Sequence, residues 1–289
     1  MHASENIVLL ASRLQTVRYV HVMNLALLAS LFDYSLTLSA EISLMWHSKW
    51  APSKILFFLS RYSPAFDVPV LLYYSMVSDI SFTHCSQLFA ASSWGTVFGI
   101  AVAEAILVLR TYALSGRKRS VFIIFTAFWA IGISASVVLI ALFLSSVSYG
   151  PPPSPSIPGC FLVEGSDIYA GISFFIVLLN DTIIMAYTLW LGFTNYRHMN
   201  NPFIVTLYRD GVTYYLFLCA ISAVNVAILL KERMPIAQIC NALLRVLHSI
   251  LSARILLHVR GTEYGESGGA ETHSHRTVVL SFANSSEVS

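Results

Sequence analysis

The stretch VFIIFTAFWAIGISASVVLIALFLSSV, residues 121–147, decides the fold because it contains no charged side chain. A bilayer core about 30 Å thick is crossed by about 20 mainly apolar residues in an α-helix. Strands of a membrane barrel alternate apolar and polar residues, and this stretch does not. Lipid offers no partner to open backbone groups, so the stretch is predicted to cross a membrane as a helix.

Six further segments have the length and apolar character of membrane spans. They are residues 19–46, 54–77, 87–111, 168–194, 212–230 and 235–257. We therefore predict an all-α bundle of seven transmembrane helices over residues 19–257. The second and seventh segments carry several charged or proline residues, and the number of spans would fall if either were a surface helix.

The composition supports a membrane protein and excludes several other classes. Hydrophobic residues make up 56% of the 289 residues and charged residues 11%, whereas a soluble domain has roughly 25% charged residues. Mean hydropathy is +0.69. The formal charge of +2 is too small to indicate nucleic-acid binding. The lipid bilayer is thus the one partner that composition predicts.

Lysine and arginine in the short loops predict the orientation. The loops after the first, third and fifth spans, with the start of the tail, carry eight such residues, and the opposite set carries four. Residues 1–18 are therefore expected outside the cell and residues 258–289 in the cytoplasm as a disordered tail. We expect the plasma membrane or the secretory pathway.

Two of the four cysteines are predicted to lie on the oxidising side of the membrane. Cys85 is at the outer end of the third span and Cys160 in the Pro-rich fourth loop. Disulfides persist in that compartment, which favours a Cys85–Cys160 bridge over two free thiols. Seven spans, an outer N-terminus and this bridge together resemble the architecture of G-protein-coupled receptors, a likeness of fold that does not give a function.

Ionisable residues inside spans are costly and usually face the interior of the bundle. Counted from the cytoplasmic ends at 1.5 Å per residue, one set lies roughly 18–20 Å deep. This intramembrane charge cluster comprises Asp33, Asp67, Asp181 and Arg245, with His248 one turn beyond Arg245. It predicts a cation or proton site, a ligand counter-ion, or a polar network that only holds helices together.

A shallower set, roughly 7–11 Å deep, comprises Glu41, Arg61 and Glu104. Glu41 and Arg61 are expected to form a structural ion pair that joins the first two spans. Pro64 and Pro69 flank Asp67, so the second span should kink at that depth.

The cytoplasmic face is expected to carry Arg110, Arg117, Lys118 and Arg119. Arg110 is similar in position to an arginine by which many receptors gate access of a partner, although Leu109 stands where an acid would be expected. A boundary arginine that extends to the lipid headgroups explains Arg110 equally well. Residues 117–119 are more typical of an orientation signal and a contact with anionic lipid than of a protein docking site.

The N-terminal region resembles a known family. Its residues Asp33-Tyr34, Glu41, Trp46, Trp50, Lys54 to Phe58 and Arg61-Tyr62 look like the signature of the fungal, mainly basidiomycete, membrane proteins with domain of unknown function 6533. That domain covers about residues 19–65, and LRTYAL at 109–114 is also similar. The resemblance implies a multi-pass fungal membrane protein without an established activity.

The expected function is that of a receptor-like signalling protein. A small ligand would bind among the outer halves of the helices under the fourth loop, and a cytoplasmic signalling partner would bind at the third and fifth loops. The alternative is a proton- or ion-coupled transporter that uses Asp33, Asp67 and Asp181. The sequence has no HExxH, P-loop or GxSxG motif, so no catalytic residue, metal or cofactor is predicted and the chain is not expected to be an enzyme. A lipid-modifying enzyme, which would need a metal, is a third interpretation.

Overall fold

The computed structural model describes residues 2–77, 81–151, 159–196, 216–227 and 241–261. The helices are α1 (His2–Glu41), α2 (Pro52–Tyr62), α3 (Pro64–Met76), α4 (Phe82–Leu114), α5 (Arg119–Ser146), α6 (Asp167–Leu191), α7 (Leu216–Ala227) and α8 (Asn241–Gly261). Helices α1 and α6 each continue into a short π-helix, Ile42–Trp46 and Gly192–Tyr196. The strands are β1 (Ser148–Gly150) and β2 (Phe161–Glu164).

Six helical segments in the described part of the chain are long and apolar enough to cross a membrane. Helices α2 and α3 together form one of them, and α7 is shorter over its described residues. These helices are consistent with the predicted all-α membrane bundle. A seventh span and the orientation of the bundle stay predictions.

The second span is interrupted where proline predicts an interruption. Ser63 separates α2 from α3, and Pro64 is the first residue of α3. Proline has no backbone N–H and is accepted best in the first turn of a helix. Pro69 lies inside α3. The kink thus falls between Arg61 and Asp67, two of the residues predicted to matter.

Three helices extend beyond an end of their apolar segments. Helix α1 begins at His2 rather than at residue 19, α4 covers Phe82–Leu114 rather than 87–111, and α8 continues to Gly261 rather than ending at 257. Backbone hydrogen bonds continue into polar turns, so hydropathy underestimates helix length. Ser81 caps α4 by accepting a hydrogen bond from the backbone N–H of His84.

An antiparallel hairpin of β1 and β2 lies in the fourth loop, where no strand was predicted. Strands of three and four residues have no detectable periodicity in a sequence. Tyr149 pairs with Leu162, and burial raises the pKa of Tyr149 to about 12, which keeps its phenol neutral. We call the side of the molecule that carries this hairpin the hairpin end. The other side, where α4 ends at Leu114, is called the opposite end.

The predicted disulfide between Cys85 and Cys160 is confirmed and fixes the hairpin to α4. Two backbone hydrogen bonds fix it to α3 as well, from Gly159 N to the carbonyl of Val77 (2.8 Å) and from Cys160 N to that of Tyr74 (3.2 Å). Gly159 has a φ of +103°, and a Cβ there would lie 2.6 Å from the carbonyl oxygen of Ser75. Only glycine fits this contact.

Helix α4 is the centre of the bundle and packs against α2, α3, α5 and α6. Helix α5 turns most of its side chains outward, as a lipid-facing helix does. Cys240 and the basic residues of the fifth and sixth loops lie outside the described residues, and so does the predicted tail beyond residue 261.

Candidate functional site

Buried charged side chains form three groups between the helices. The first group joins α1, α2 and α8 through Arg61. Nε of Arg61 lies 2.6 Å from Oε2 of Glu41, and its Nη1 lies 3.5 Å from Oδ2 of Asp33. Nε of Arg254 donates to Oδ1 of Asp33 across 2.6 Å. Two guanidinium groups thus face two carboxylates.

Asp33 does not lie with the deeper set to which the sequence analysis assigned it. Its partners are Arg61 and Arg254, and no contact with Arg245 occurs among the described side chains. Depth counted from Cα positions does not predict these contacts, because the side chain of an arginine extends over more than one helical turn. Arg254, which no prediction had paired, completes this group.

Glu41 is also the acceptor for residues of the family-like signature. Tyr62 Oη donates to Oε1 of Glu41 (2.7 Å), and Trp46 Nε1 donates to the same atom (3.1 Å). Lys54 donates to the carbonyls of Trp46 (3.0 Å) and Ser48 (2.8 Å). The signature residues therefore hold the end of α1 against α2.

The second group is an ion pair between α3 and α8. Nε of Arg245 donates to Oδ2 of Asp67 across 2.9 Å, and Nη2 of Arg245 donates to Ser63 Oγ at the break between α2 and α3. Both charged residues are buried. A buried carboxylate paired with one guanidinium is charge-balanced.

Two glycines on α4 make room for this ion pair. A Cβ at Gly95 would lie 2.7 Å from Cβ of Asp67, and a Cβ at Gly99 would overlap the guanidinium of Arg245. The spacing of four residues places both glycines on one face of the helix. The backbone of α4 therefore forms a wall of the Asp67–Arg245 site.

The third group joins α4, α6, α7 and α8 around two carboxyl groups. Asn180 Nδ2 donates to Oε2 of Glu104 (3.4 Å), and Ser222 Oγ donates to Oδ2 of Asp181 (2.9 Å). Nε2 of His248 lies 3.6 Å from Oδ2 of Asp181. Glu104 and Asp181 interact electrostatically, and no arginine or lysine contacts either one among the described residues.

Glu104 had been placed in the shallower set, and its hydrogen-bond partner in the structure is Asn180, the residue before Asp181 on α6. Helix α4 continues to Leu114, which is ten residues or about 15 Å from Glu104. Asp181 is the same distance from Leu191 at the end of α6.

A cavity of about 80 Å³ lies beneath the hairpin, between α3, α4, α5, α6 and the start of α8. Most of its wall is apolar, including Leu71, Phe89, Phe143 and Phe174. Its polar lining residues are Ser92, Ser93, Thr96, Ser136, Ser173 and Asn241. A water needs roughly 10–15 Å³ by this measure, so several waters or a small organic molecule fit.

One hydroxyl in this cavity distinguishes it from an ordinary packing gap. Ser136 is 4% exposed, and its Oγ has no hydrogen-bond partner among the described residues. A buried hydroxyl without a partner costs free energy, and a ligand or water that bonds to it would recover that cost. Ser136 was not among the functional residues predicted from the sequence. The only sequence signal was a set of hydroxyl side chains within otherwise apolar spans.

The predicted cytoplasmic-face residues divide into two environments. Arg117, Lys118 and Arg119 are exposed in the turn between α4 and α5, where Gly116 and Arg117 have φ angles of 73° and 59°. Arg110 is buried, with 7% of its surface exposed. A lipid-facing position for Arg110 is therefore wrong.

No group of three His, Cys, Asp or Glu side chains suited to a metal ion occurs in the part of the chain that the structure describes. The profile of the family of unknown function DUF6533 matches residues 19–66, which include Asp33, Glu41 and Arg61. No curated protein matches the chain. The match supports the resemblance of this N-terminal stretch and assigns no activity.

Proposed function

We propose that the chain is a receptor-like protein with seven transmembrane helices, its N-terminus outside and its C-terminus in the cytoplasm. Its ligand is a small molecule that binds in the cavity beneath the hairpin. The observation that carries this proposal is the buried Ser136 hydroxyl, which lines a cavity of about 80 Å³ and has no hydrogen-bond partner in the described part of the chain. In this orientation the hairpin covers the cavity on the outer side of the membrane.

The lining of the cavity indicates the class of ligand. None of the described residues that line it is ionisable, so a charged ligand would be buried without a counter-ion at high cost. The hydroxyls of Ser92, Thr96 and Ser136 can bond a hydroxyl or carbonyl group. An uncharged, mainly apolar molecule with one or two hydrogen-bonding groups fits this wall best.

Contacts at the bottom of the cavity offer a route for signalling. Ser92 lines the cavity and lies 3.5 Å from the backbone carbonyl of Asp67, to which its hydroxyl donates. Asp67 pairs with Arg245, which also bonds Ser63 at the break of the second span. A ligand that moves Ser92 would therefore bias the angle between α2 and α3, and a change of that angle would carry the signal.

A cytoplasmic signalling partner would bind the exposed basic turn of Arg117, Lys118 and Arg119. This surface lies at the opposite end from the cavity, at the far end of α4. Anionic lipid competes for the same charges. If the turn contacts a protein partner, a variant in which all three residues are replaced by uncharged ones should lose signalling and still bind the ligand.

The ligand site is tested by filling the cavity. The full-length protein in maltoside is screened with a panel of small uncharged alcohols and phenols, and stabilisation is read as a shift of the unfolding temperature. Ser136→Phe should abolish the shifts. Ser134→Phe is the matched control, because Ser134 is exposed two residues away on α5. Equal shifts in both variants would contradict the cavity as the site.

A proton- or ion-coupled carrier is the second candidate, and one observation favours it. Asp33 and Asp67 are each paired with arginine, whereas Asp181 has no arginine partner among the residues that the structure describes. Of the three aspartates predicted for transport, Asp181 is therefore the one free to bind a proton or cation. Asp181→Asn should abolish pH-dependent uptake into vesicles, and unchanged uptake would remove this candidate.

The fungal, basidiomycete origin and the location at the plasma membrane or in the secretory pathway stay predictions. The absence of catalytic activity is also a prediction. Elemental analysis of the purified protein tests the metal-dependent enzyme as the remaining alternative.

A further inference from the structure

The three buried charge groups differ in their balance. The first has two arginines and two carboxylates, and the second has one of each. The third has the carboxyl groups of Glu104 and Asp181 with no arginine or lysine in contact in the described part of the bundle. We propose that Glu104 and Asp181 form a buried proton-binding site that holds an exchangeable proton at neutral pH.

The geometry leaves an atom free on each side for that proton. Oε2 of Glu104 accepts from Asn180, and Oδ2 of Asp181 accepts from Ser222. Oε1 of Glu104 and Oδ1 of Asp181 have no hydrogen-bond partner among the described atoms, and the two residues are 0% and 1% exposed. Two uncompensated carboxylates this deeply buried repel each other and lack solvation, and a bound proton removes one of the charges.

His248 is a second group near Asp181 that can accept the proton. Its Nε2 lies 3.4 Å from Ser222 Oγ and 3.6 Å from Oδ2 of Asp181, and its Nδ1 is unpartnered within the described structure. The side chain is 0% exposed. When the carboxyl proton lies on Oδ2 of Asp181, it can pass to Ser222 Oγ while the hydroxyl hydrogen of Ser222 passes to the acceptor Nε2 of a neutral His248.

The other titratable groups nearby do not supply the missing positive charge. Arg245 lies one turn from His248 on α8, but its guanidinium is bonded to Asp67 and Ser63. Cys219 on α7 faces Asp181 and brings a thiol, which carries no positive charge. The described residues include no group of three His, Cys, Asp or Glu side chains arranged to hold a metal ion, which favours a proton over a divalent ion.

The site shares no residue with the ligand cavity. It shares Asp181 with the carrier candidate, but a bound proton at this position does not require transport. If Glu104 and Asp181 bind no proton, the proposal that a ligand binds in the cavity is unaffected. If no ligand binds in the cavity, the proton-binding site is unaffected. Infrared spectroscopy tests it directly, because a protonated carboxyl group has a C=O stretching band that a carboxylate lacks. Full-length protein in maltoside avoids the ester carbonyls of lipids.

At neutral pH the wild-type protein should show a carboxylic-acid band that shifts in D2O. The band should be lost in the double variant Glu104→Gln with Asp181→Asn. Glu164→Gln, at an exposed position of β2, is the control and should leave the band unchanged. A wild-type protein without the band would overturn the proposal whether or not the variants fold. A band that persists in the double variant would overturn it as well.

Discussion

Arg245 and Asp67 are 178 residues apart in the chain, and Nε of Arg245 donates to Oδ2 of Asp67 across 2.9 Å. This contact ties the last helix of the bundle to the second span beside the proline break. It also lies directly below the cavity, since Leu71 and Ala242, one turn from Asp67 and Arg245, line the cavity wall. The ion pair therefore stands between the proposed ligand site and the opposite end of the bundle.

Removing one member of this pair should be more harmful than removing both. Asp67→Asn leaves the Arg245 guanidinium buried without a counter-ion, which costs about 3–5 kcal/mol. The double variant Asp67→Asn with Arg245→Gln removes both charges and should recover part of that loss. Unfolding measured in mixed micelles gives the coupling energy, and additive losses would show that the pair does not interact.

Gly99→Ala should destabilise the protein by obstructing the Arg245 guanidinium. In an open helical position the same change stabilises by about 0.5–1 kcal/mol, because alanine is the better helix former. Gly171 on α6 is such a position, with nothing within 4 Å of a Cβ added there. Thermal unfolding of the two variants should therefore shift in opposite directions. Equal shifts would contradict the tight packing at Gly99.

Tyr62→Phe should weaken the junction of α1 and α2. It removes the hydroxyl that donates to Glu41 across 2.7 Å, and a hydrogen bond to a charged group contributes about 1.5–3 kcal/mol. Tyr73→Phe is the matched control, because Tyr73 is 55% exposed on α3. In differential scanning fluorimetry, the Tyr62→Phe variant should unfold at a lower temperature than the Tyr73→Phe variant. Identical unfolding temperatures would show that the Glu41 contact does not stabilise the bundle.

Loss of the Cys85–Cys160 disulfide should lower stability by at most about 4.5 kcal/mol, from the chain entropy of the 75-residue loop that it closes. Cys160→Ser should unfold at a lower temperature and should no longer respond to reducing agent. Cys219→Ser is the control, because Cys219 is a free thiol and its variant should respond to reduction like the wild type. A reduced wild type as stable as the oxidised one would contradict a structural role.

The spans and the disulfide could be read from the sequence because each depends on local properties. A run such as residues 121–147 carries its own signal, and Cys85 and Cys160 needed only to share one side of a bilayer. The hairpin could not be predicted, since β1 and β2 have three and four residues within a Pro-rich loop.

The partners of the buried charges were predicted only in part. Equal depth paired Glu41 with Arg61, and the two side chains lie 2.6 Å apart. It did not bring Glu104 together with Asn180, which is its hydrogen-bond partner in the structure. The cavity could not be predicted from the sequence. Residues from five helices line it, and the sequence does not show in which order the helices are arranged around the bundle. Gly95 and Gly99, four residues apart in an apolar helix, were the sequence signal for a close approach at α4.

Nuclear magnetic resonance of isoleucine methyl groups tests the proposed ligand site most directly. Ile100, Ile133 and Ile140 line the cavity, whereas Ile123 and Ile131 are 65% and 70% exposed on the outer face of α5. Full-length protein in nanodiscs is titrated with the phenol or alcohol that gives the largest thermal shift. The account predicts saturable shifts of the three cavity methyl groups with one common Kd and unchanged outer methyl groups. Non-saturating shifts of the outer methyl groups, with the cavity set unmoved, would contradict it.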